Sequence, residues 1–178
     1  MSETYGDYED SGRDAAEYLL IGFSPSTISL QQRWRNNGLS ADFLADYLST
    51  FFPGDDPESA DRRLEMMDAV SYVANELLEN AMKFSYVPDE NAVNIKMELD
   101  VQSITFFVSN CVDPATLSRF RTFINRLVTE DPQRLYMEQM LANADESDHT
   151  DENGSGLGFL TMINDYDAVA HLSGCSPV

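Results

Sequence analysis

Basic residues are scarce in this chain of 178 residues. Lysine and arginine number 11 against 31 aspartates and glutamates, a formal charge of −20. Such a field repels a nucleic-acid duplex and an anionic membrane surface, and no basic stripe offsets it. A protein partner with a basic patch fits better. A small anionic ligand also fits if backbone N–H groups and a metal hold it locally. Cysteine is nearly absent too: Cys111 and Cys175 have no metal-ligand spacing, so reduced, inert thiols are expected. Of the two histidines, His149 sits in an acidic stretch and His171 in an expected strand, neither with a catalytic partner in view. No apolar run is long enough to span a bilayer. The start, Met1 to Asp10, is acidic and polar, unlike a signal peptide, so a cytoplasmic location is expected.

What is present is enough for one packed domain: 43% hydrophobic and 11% aromatic residues. Residues 1–14 read as a disordered acidic terminus, and 15–178 as a single domain without repeats or linker. Glu17 to Phe23 is a short apolar run read as a buried strand. Residues 26–37 fit a helical turn or a strand, and Asn36-Asn37-Gly38 is a turn signal. Ser40 then reads as the N-cap of a helix whose apolar face is Phe43, Leu44, Tyr47, Leu48 and Phe51, stopped by Pro53-Gly54.

Three later helices share one start, aspartate followed by proline. Aspartate caps free N–H groups, and proline at the first helical position loses no bond. Asp56-Pro57 predicts a helix to about Phe84, Asp113-Pro114 one to about Thr129, and Asp131-Pro132 one to about Asn143. Between the first two, Ala92–Leu99 alternates apolar and polar residues, and Ser103–Val108 follows after a short turn, which predicts a hairpin. Residues 143–156 lack hydrophobic side chains apart from Ala144 and read as a mobile loop. A helix resumes at Leu157, and Asp167–Leu172 reads as the last strand.

Two stretches carry chemistry. In the long helix, Val70, Val73, Ala74, Leu77, Ala81 and Phe84 form an apolar stripe. Glu76 and Asn80, four apart, share one face at its edge, with Lys83 beside them. A carboxylate and an amide there can line a pocket, or be ordinary solvated residues. The second stretch is Gly154-Ser155-Gly156-Leu157-Gly158, directly before a helix. Glycines allow close backbone approach, and a helix start offers unpaired N–H groups and a positive dipole end, which together suit phosphate oxygens. Alone, such glycines are equally those of a flexible loop.

Together and in this order, the two motifs resemble the GHKL ATPase superfamily of gyrase, the Hsp-type chaperone, histidine kinases and the mismatch-repair protein. Glu76 to Ser85 looks like its N-box and Gly154 to Ile163 like its second glycine box, with the resemblance covering about residues 57–172. It implies an α/β two-layer sandwich, a mixed, mostly antiparallel sheet with helices on one face. It also implies ATP and Mg²⁺ as ligands. Asn80 would hold the metal, Glu76 would act as general base, and Lys83 would help neutralise phosphate. Gly154, Ser155, Gly156, Leu157 and Gly158 would cradle the phosphates, with the acidic loop as lid. Histidine kinases usually carry asparagine where Glu76 stands, so the resemblance points to Ser/Thr phosphorylation or hydrolysis. One departure is clear. The first glycine box, expected after Val108, is replaced by Ser109-Asn-Cys-Val-Asp113. Asn110 is the candidate reader of the adenine amino group through its amide oxygen; Asp113 is better explained as a helix cap. The resemblance implies a stand-alone bacterial kinase of the anti-sigma type acting on a small antagonist-type partner protein. The alternative is a non-catalytic member serving as a protein-binding module. A homodimer is left open.

Overall fold

Asp56 opens the longest helix, and its local chemistry explains why. The computed structural model describes residues 2–5, 17–24, 30–52, 56–85, 92–100, 103–145, 156–166, 168–170 and 172–175, with residues 2–5, 30–34, 145 and 172–175 as backbone only. The chain divides into two compact units, residues 13–113 and residues 1–12 with 114–178; the sequence expectation drew one domain over 15–178.

In the first unit, strand β2 (Glu17–Phe23) is followed by helices α1 (Leu30–Ser49) and α2 (Pro57–Lys83), then strands β3 (Val93–Leu99) and β4 (Ile104–Ser109). Asp56 Oδ1 accepts from the Ser59 N–H at 2.9 Å, and Ser59 Oγ donates to Oδ2 at 2.6 Å. Those two bonds, the hydroxyl's first, hold the Asp56 carboxyl below its usual range. Proline at the first turn costs nothing there. The buried ridge of α2 is Val70, Ala74, Leu78 and Ala81, spaced four, four and three. Leu78, fully buried, belongs to this ridge, whereas Phe84 is 38% exposed at the C-cap.

Helix α1 departs from the sequence expectation. It runs unbroken through Asn36-Asn37-Gly38, so that triplet is no turn and Ser40 is no N-cap. Three poor helix formers in a row cost about 2 kcal/mol together. Ala41, Leu44, Ala45 and Leu48 are buried against the ridge of α2, and full burial of the two leucines alone contributes about 3–6 kcal/mol. Burial therefore wins over local propensity. The buried face is this set, while Phe43 and Phe51 are exposed. Pro53-Gly54 lies outside the described residues; the helix ends at Ser49, with the Thr50 N–H turning back to the Tyr47 carbonyl.

The sheet of this unit has the order β2-β3-β4 and is antiparallel throughout. Glu17 faces Leu99 and Phe23 faces Val93; Asn94 faces Ser109 and Leu99 faces Ile104. The alternation in β3 is realised: Val93, Ile95 and Met97 are fully buried, and the residues between them are not. Leu19, Ile21, Phe106 and Val108 join them in one core with α1 and α2, so both helices cover the same sheet face. Strand β2 is not buried on both sides, as its apolar run suggested. Tyr18 and Leu20 are more than half exposed on the other face, where Lys96 Nζ lies 5.4 Å from the rings of both Tyr18 and Phe107.

In the second unit, β1 (Ser2–Tyr5) pairs antiparallel with β5 (Leu172–Cys175), Ser2 facing Cys175. Residues 2–5 thus form a strand within the segment read as disordered. Helices α3 (Pro114–Thr129), α4 (Pro132–Asp145) and α5 (Gly158–Tyr166) complete it. Both Asp-Pro starts are realised, and Asp131 Oδ1 accepts from the Arg134 N–H at 3.0 Å. The core is Ile124, Leu127, Leu135 and Leu160, with Phe159 packed between Phe120 and Phe123. The last strand begins at Leu172, where its expected range ends; Ala168–Ala170 is irregular, and Asp167 and His171 lie outside the described residues. The protein is α/β; among the described strands no parallel pair occurs, unlike the mixed sheet expected. No helix among the described residues is long and apolar enough to cross a membrane.

Candidate functional site

Helix α2 carries the candidate residues because its buried ridge fixes its rotation. With Val70, Ala74, Leu78 and Ala81 facing the core, Glu76 and Asn80 fall on a flank where each is half-buried. Four residues of helix separate them by about 6 Å along the axis. Burial pushes the Glu76 carboxyl above its usual range, and the neighbouring Glu79 charge adds to this. Glu79 is itself held by Asn75, whose Nδ2 donates to Oε1 at 2.8 Å. Glu76 makes no ion pair or side-chain hydrogen bond among the described residues. A half-buried carboxylate with a raised proton affinity is a better proton acceptor than an exposed one.

The Asn80 backbone carbonyl accepts from Phe84 N–H at 3.1 Å and closes the helix. Its side-chain amide makes no hydrogen bond among the described residues, which leaves an oxygen donor one turn from Glu76. Lys83, in the last turn, places Nζ 5.5 Å from the Phe84 ring. A cation at a helix C-terminus is favourable, so the dipole and the ring already account for this ammonium.

Asn110, just past β4, is drawn to the same helix. Its Nδ2 donates to the Ala81 carbonyl at 3.0 Å. Ser85 Oγ donates to that carbonyl too, at 2.5 Å. The amide nitrogen is thereby committed, and the amide oxygen makes no hydrogen bond among the described residues. Asn110 could therefore still act as an acceptor. Asp113 precedes α3 and is half-buried.

Gly154 and Ser155 lie outside the described residues. Gly156 has φ +66°, the left-handed region glycine adopts freely. A Cβ there would also meet the Gln139 amide at 3.3 Å. Leu157 follows, its carbonyl accepting from the Thr161 N–H at 2.8 Å, and Gly158 begins α5. The glycine stretch does lead into a helix start, as expected. Glu76, Asn80, Lys83 and Asn110 belong to the unit of residues 13–113; Gly156, Leu157 and Gly158 belong to the other.

No family model, curated protein or solved structure matches this chain. The residues themselves must carry any functional reading. Among the described residues no group of three histidine, cysteine, aspartate or glutamate side chains could hold a metal ion. Asn80 is an oxygen donor of the kind Mg²⁺ accepts when phosphates supply the remaining ligands.

Two features escaped the sequence reading. The Ala81 carbonyl as the anchor of Asn110 joins residues 29 apart, and no local pattern announces it. Asn37 is buried within α1 at 4% exposure. Its only signal was the Asn36-Asn37-Gly38 triplet, which reads as a turn.

Proposed function

We propose that this chain is an ATP-binding regulatory protein kinase that phosphorylates Ser or Thr of a small partner protein. The observation that carries this reading is Glu76: half-buried, raised in proton affinity, and one helical turn before the amide of Asn80. In this reading Asn80 holds Mg²⁺, which neutralises phosphate charge when bound. Glu76 takes the proton of the acceptor hydroxyl as that oxygen bonds to the γ-phosphorus. The bond from phosphorus to the β–γ bridging oxygen breaks, and ADP leaves. Asn110 offers its amide oxygen to the adenine amino group, with the nitrogen held by Ala81. The chain's charge of −20 favours a partner with a basic surface.

Calorimetric titration of Mg·ATP into the wild type and Asn80→Ala tests the reading. Binding that is lost in the variant supports it. Glu76→Gln should then bind Mg·ATP within about threefold of wild type while phosphoryl transfer falls by about 10²–10⁴. Absence of Mg·ATP binding to the wild type would overturn the kinase reading.

A second reading is favoured by Ser109 to Asp113, which holds no glycine, and by the tie of Asn110 to Ala81. Here the chain is a non-catalytic protein-binding module of the same ancestry. A ligand that binds only the native state must raise Tm. No Tm shift at millimolar Mg·ATP is the result expected from this reading, and a clear shift rules it out.

A further inference from the structure

We propose that the outer edge of β2 pairs with a second copy of this chain, the two β2 strands meeting antiparallel about a two-fold axis at Leu20. Among the described strands, the order β2-β3-β4 leaves one side of β2 without a neighbour. A strand edge presents a row of N–H and C=O groups that can template another strand, and edges are commonly guarded by lysine, proline, a bulge or a short length. Strand β2 runs seven residues, Glu17-Tyr-Leu-Leu-Ile-Gly-Phe23, with neither lysine nor proline, and pairs with β3 without a bulge. Its side chains mark this edge as open: Tyr18 is 59% and Leu20 56% exposed. At the opposite edge of the sheet, no residue from Ile104 to Val108 is exposed.

The pattern of the strand selects a second copy as the occupant. Leu19, Ile21 and Phe23 pack toward the helix-covered core, so Tyr18, Leu20 and Gly22 lie on the open face. Facing residues of an antiparallel pair share a face, and a slip of one residue would turn the apolar set away from the helices. Full overlap of the strand with itself then leaves one register. Glu17 faces Phe23, Tyr18 faces Gly22, Leu19 faces Ile21, and Leu20 faces its own copy. Such self-complementarity is what an isologous two-fold contact requires. On the open face each Tyr18 ring lies beside a glycine, which has no side chain to oppose it, and aromatic cover of an edge glycine is favourable. No like charges meet. Glu17, the one charged residue of β2, stands six positions from its copy, about 20 Å along the strand. That exceeds the screening length of about 8 Å at physiological salt. The chain's charge of −20 is therefore not concentrated at this contact.

Helix α1 extends the same surface. Leu39 and Phe43, both exposed, line a cleft with Ile21 and Phe23 at the end of β2. Large apolar side chains gathered along one open edge mark a contact surface. Two strands and these few side chains make a small interface, so the dimer should dissociate on dilution.

The test is sedimentation of the full chain without nucleotide, from low to high micromolar protein in physiological salt, so its outcome does not depend on the kinase reading. The wild type should pass from the chain mass to twice that mass. Leu20→Lys and Leu20→Glu each place two like charges face to face at the axis. Each variant should stay monomeric with an unchanged far-UV circular dichroism spectrum. An equal mixture of the two should recover the dimer mass, because lysine then faces glutamate. Amide exchange in the wild type needs no substitution and decides the case alone if a variant fails to fold: the β2 amides that β3 does not bind should slow as the dimer fills. The proposal is overturned if the wild type stays monomeric throughout, if either variant dimerises as the wild type does, if the mixture of folded variants stays monomeric, or if exchange in β2 is independent of concentration.

Discussion

Asn110 donates its side-chain amide to the Ala81 carbonyl across 3.0 Å, tying the end of β4 to the last turn of α2. The carbonyl lies among the last four of the helix, where intrahelical donors run out. Asn110→Ala should lower stability by about 1 kcal/mol, the net worth of one such bond, because Ser85 still serves the carbonyl. Asn110→Asp should cost more, since a carboxylate would then face a carbonyl oxygen. Urea unfolding of both variants measures the difference.

Glu76 should set a pH signature on stability. Its carboxyl is raised above the ordinary 4.5 by burial first and by Glu79 second. The folded state therefore binds this proton more tightly than the unfolded state does. As pH rises from the unfolded value through the folded one, the proton is lost and folding weakens. At neutral pH the charged carboxylate is a cost that a neutral amide avoids. Glu76→Gln should thus raise Tm at pH 7, and the gain should vanish at acid pH, below the ordinary carboxylate value. Thermal scans across pH check the sign; an equal gain at every pH would contradict it.

Gly38→Ala should stabilise the protein by about 0.5–1 kcal/mol. The residue is helical, and its missing Cβ has open space around it. A rise in Tm confirms that α1 continues through this position. A fall would mean that residues 36–38 form the turn their sequence suggests.

Gly156→Ala should do the opposite. At φ +66° an added Cβ costs about 1–2 kcal/mol. It would also press on the Gln139 amide at 3.3 Å, which is held in place by its bond to Asn143 Oδ1. Denaturant unfolding followed by amide exchange in α4 and α5 should show the loss in that unit.

Sequence alone determined the features whose causes lie within a few residues. Aspartate caps and proline fixes φ at the same spot, so the starts of α2, α3 and α4 were legible at Asp56-Pro57, Asp113-Pro114 and Asp131-Pro132. Alternation along Ala92–Leu99 marked β3 and its two-faced burial, and the short turn that follows marked the hairpin with β4. Glu76, Asn80 and Lys83 could be placed on one helix for the same reason. Tertiary structure decided the rest. Burial of Leu44 and Leu48 against α2 carried α1 through a triplet that locally reads as a turn. The exposure of Tyr18 and Leu20 followed from which face of the sheet the helices cover, which an apolar run cannot specify. The anchoring of Asn110, the raised carboxyl of Glu76 and the burial of Asn37 all depend on groups distant in sequence or on exclusion of water. Those are properties of the packed molecule, and no window of a few residues contains them.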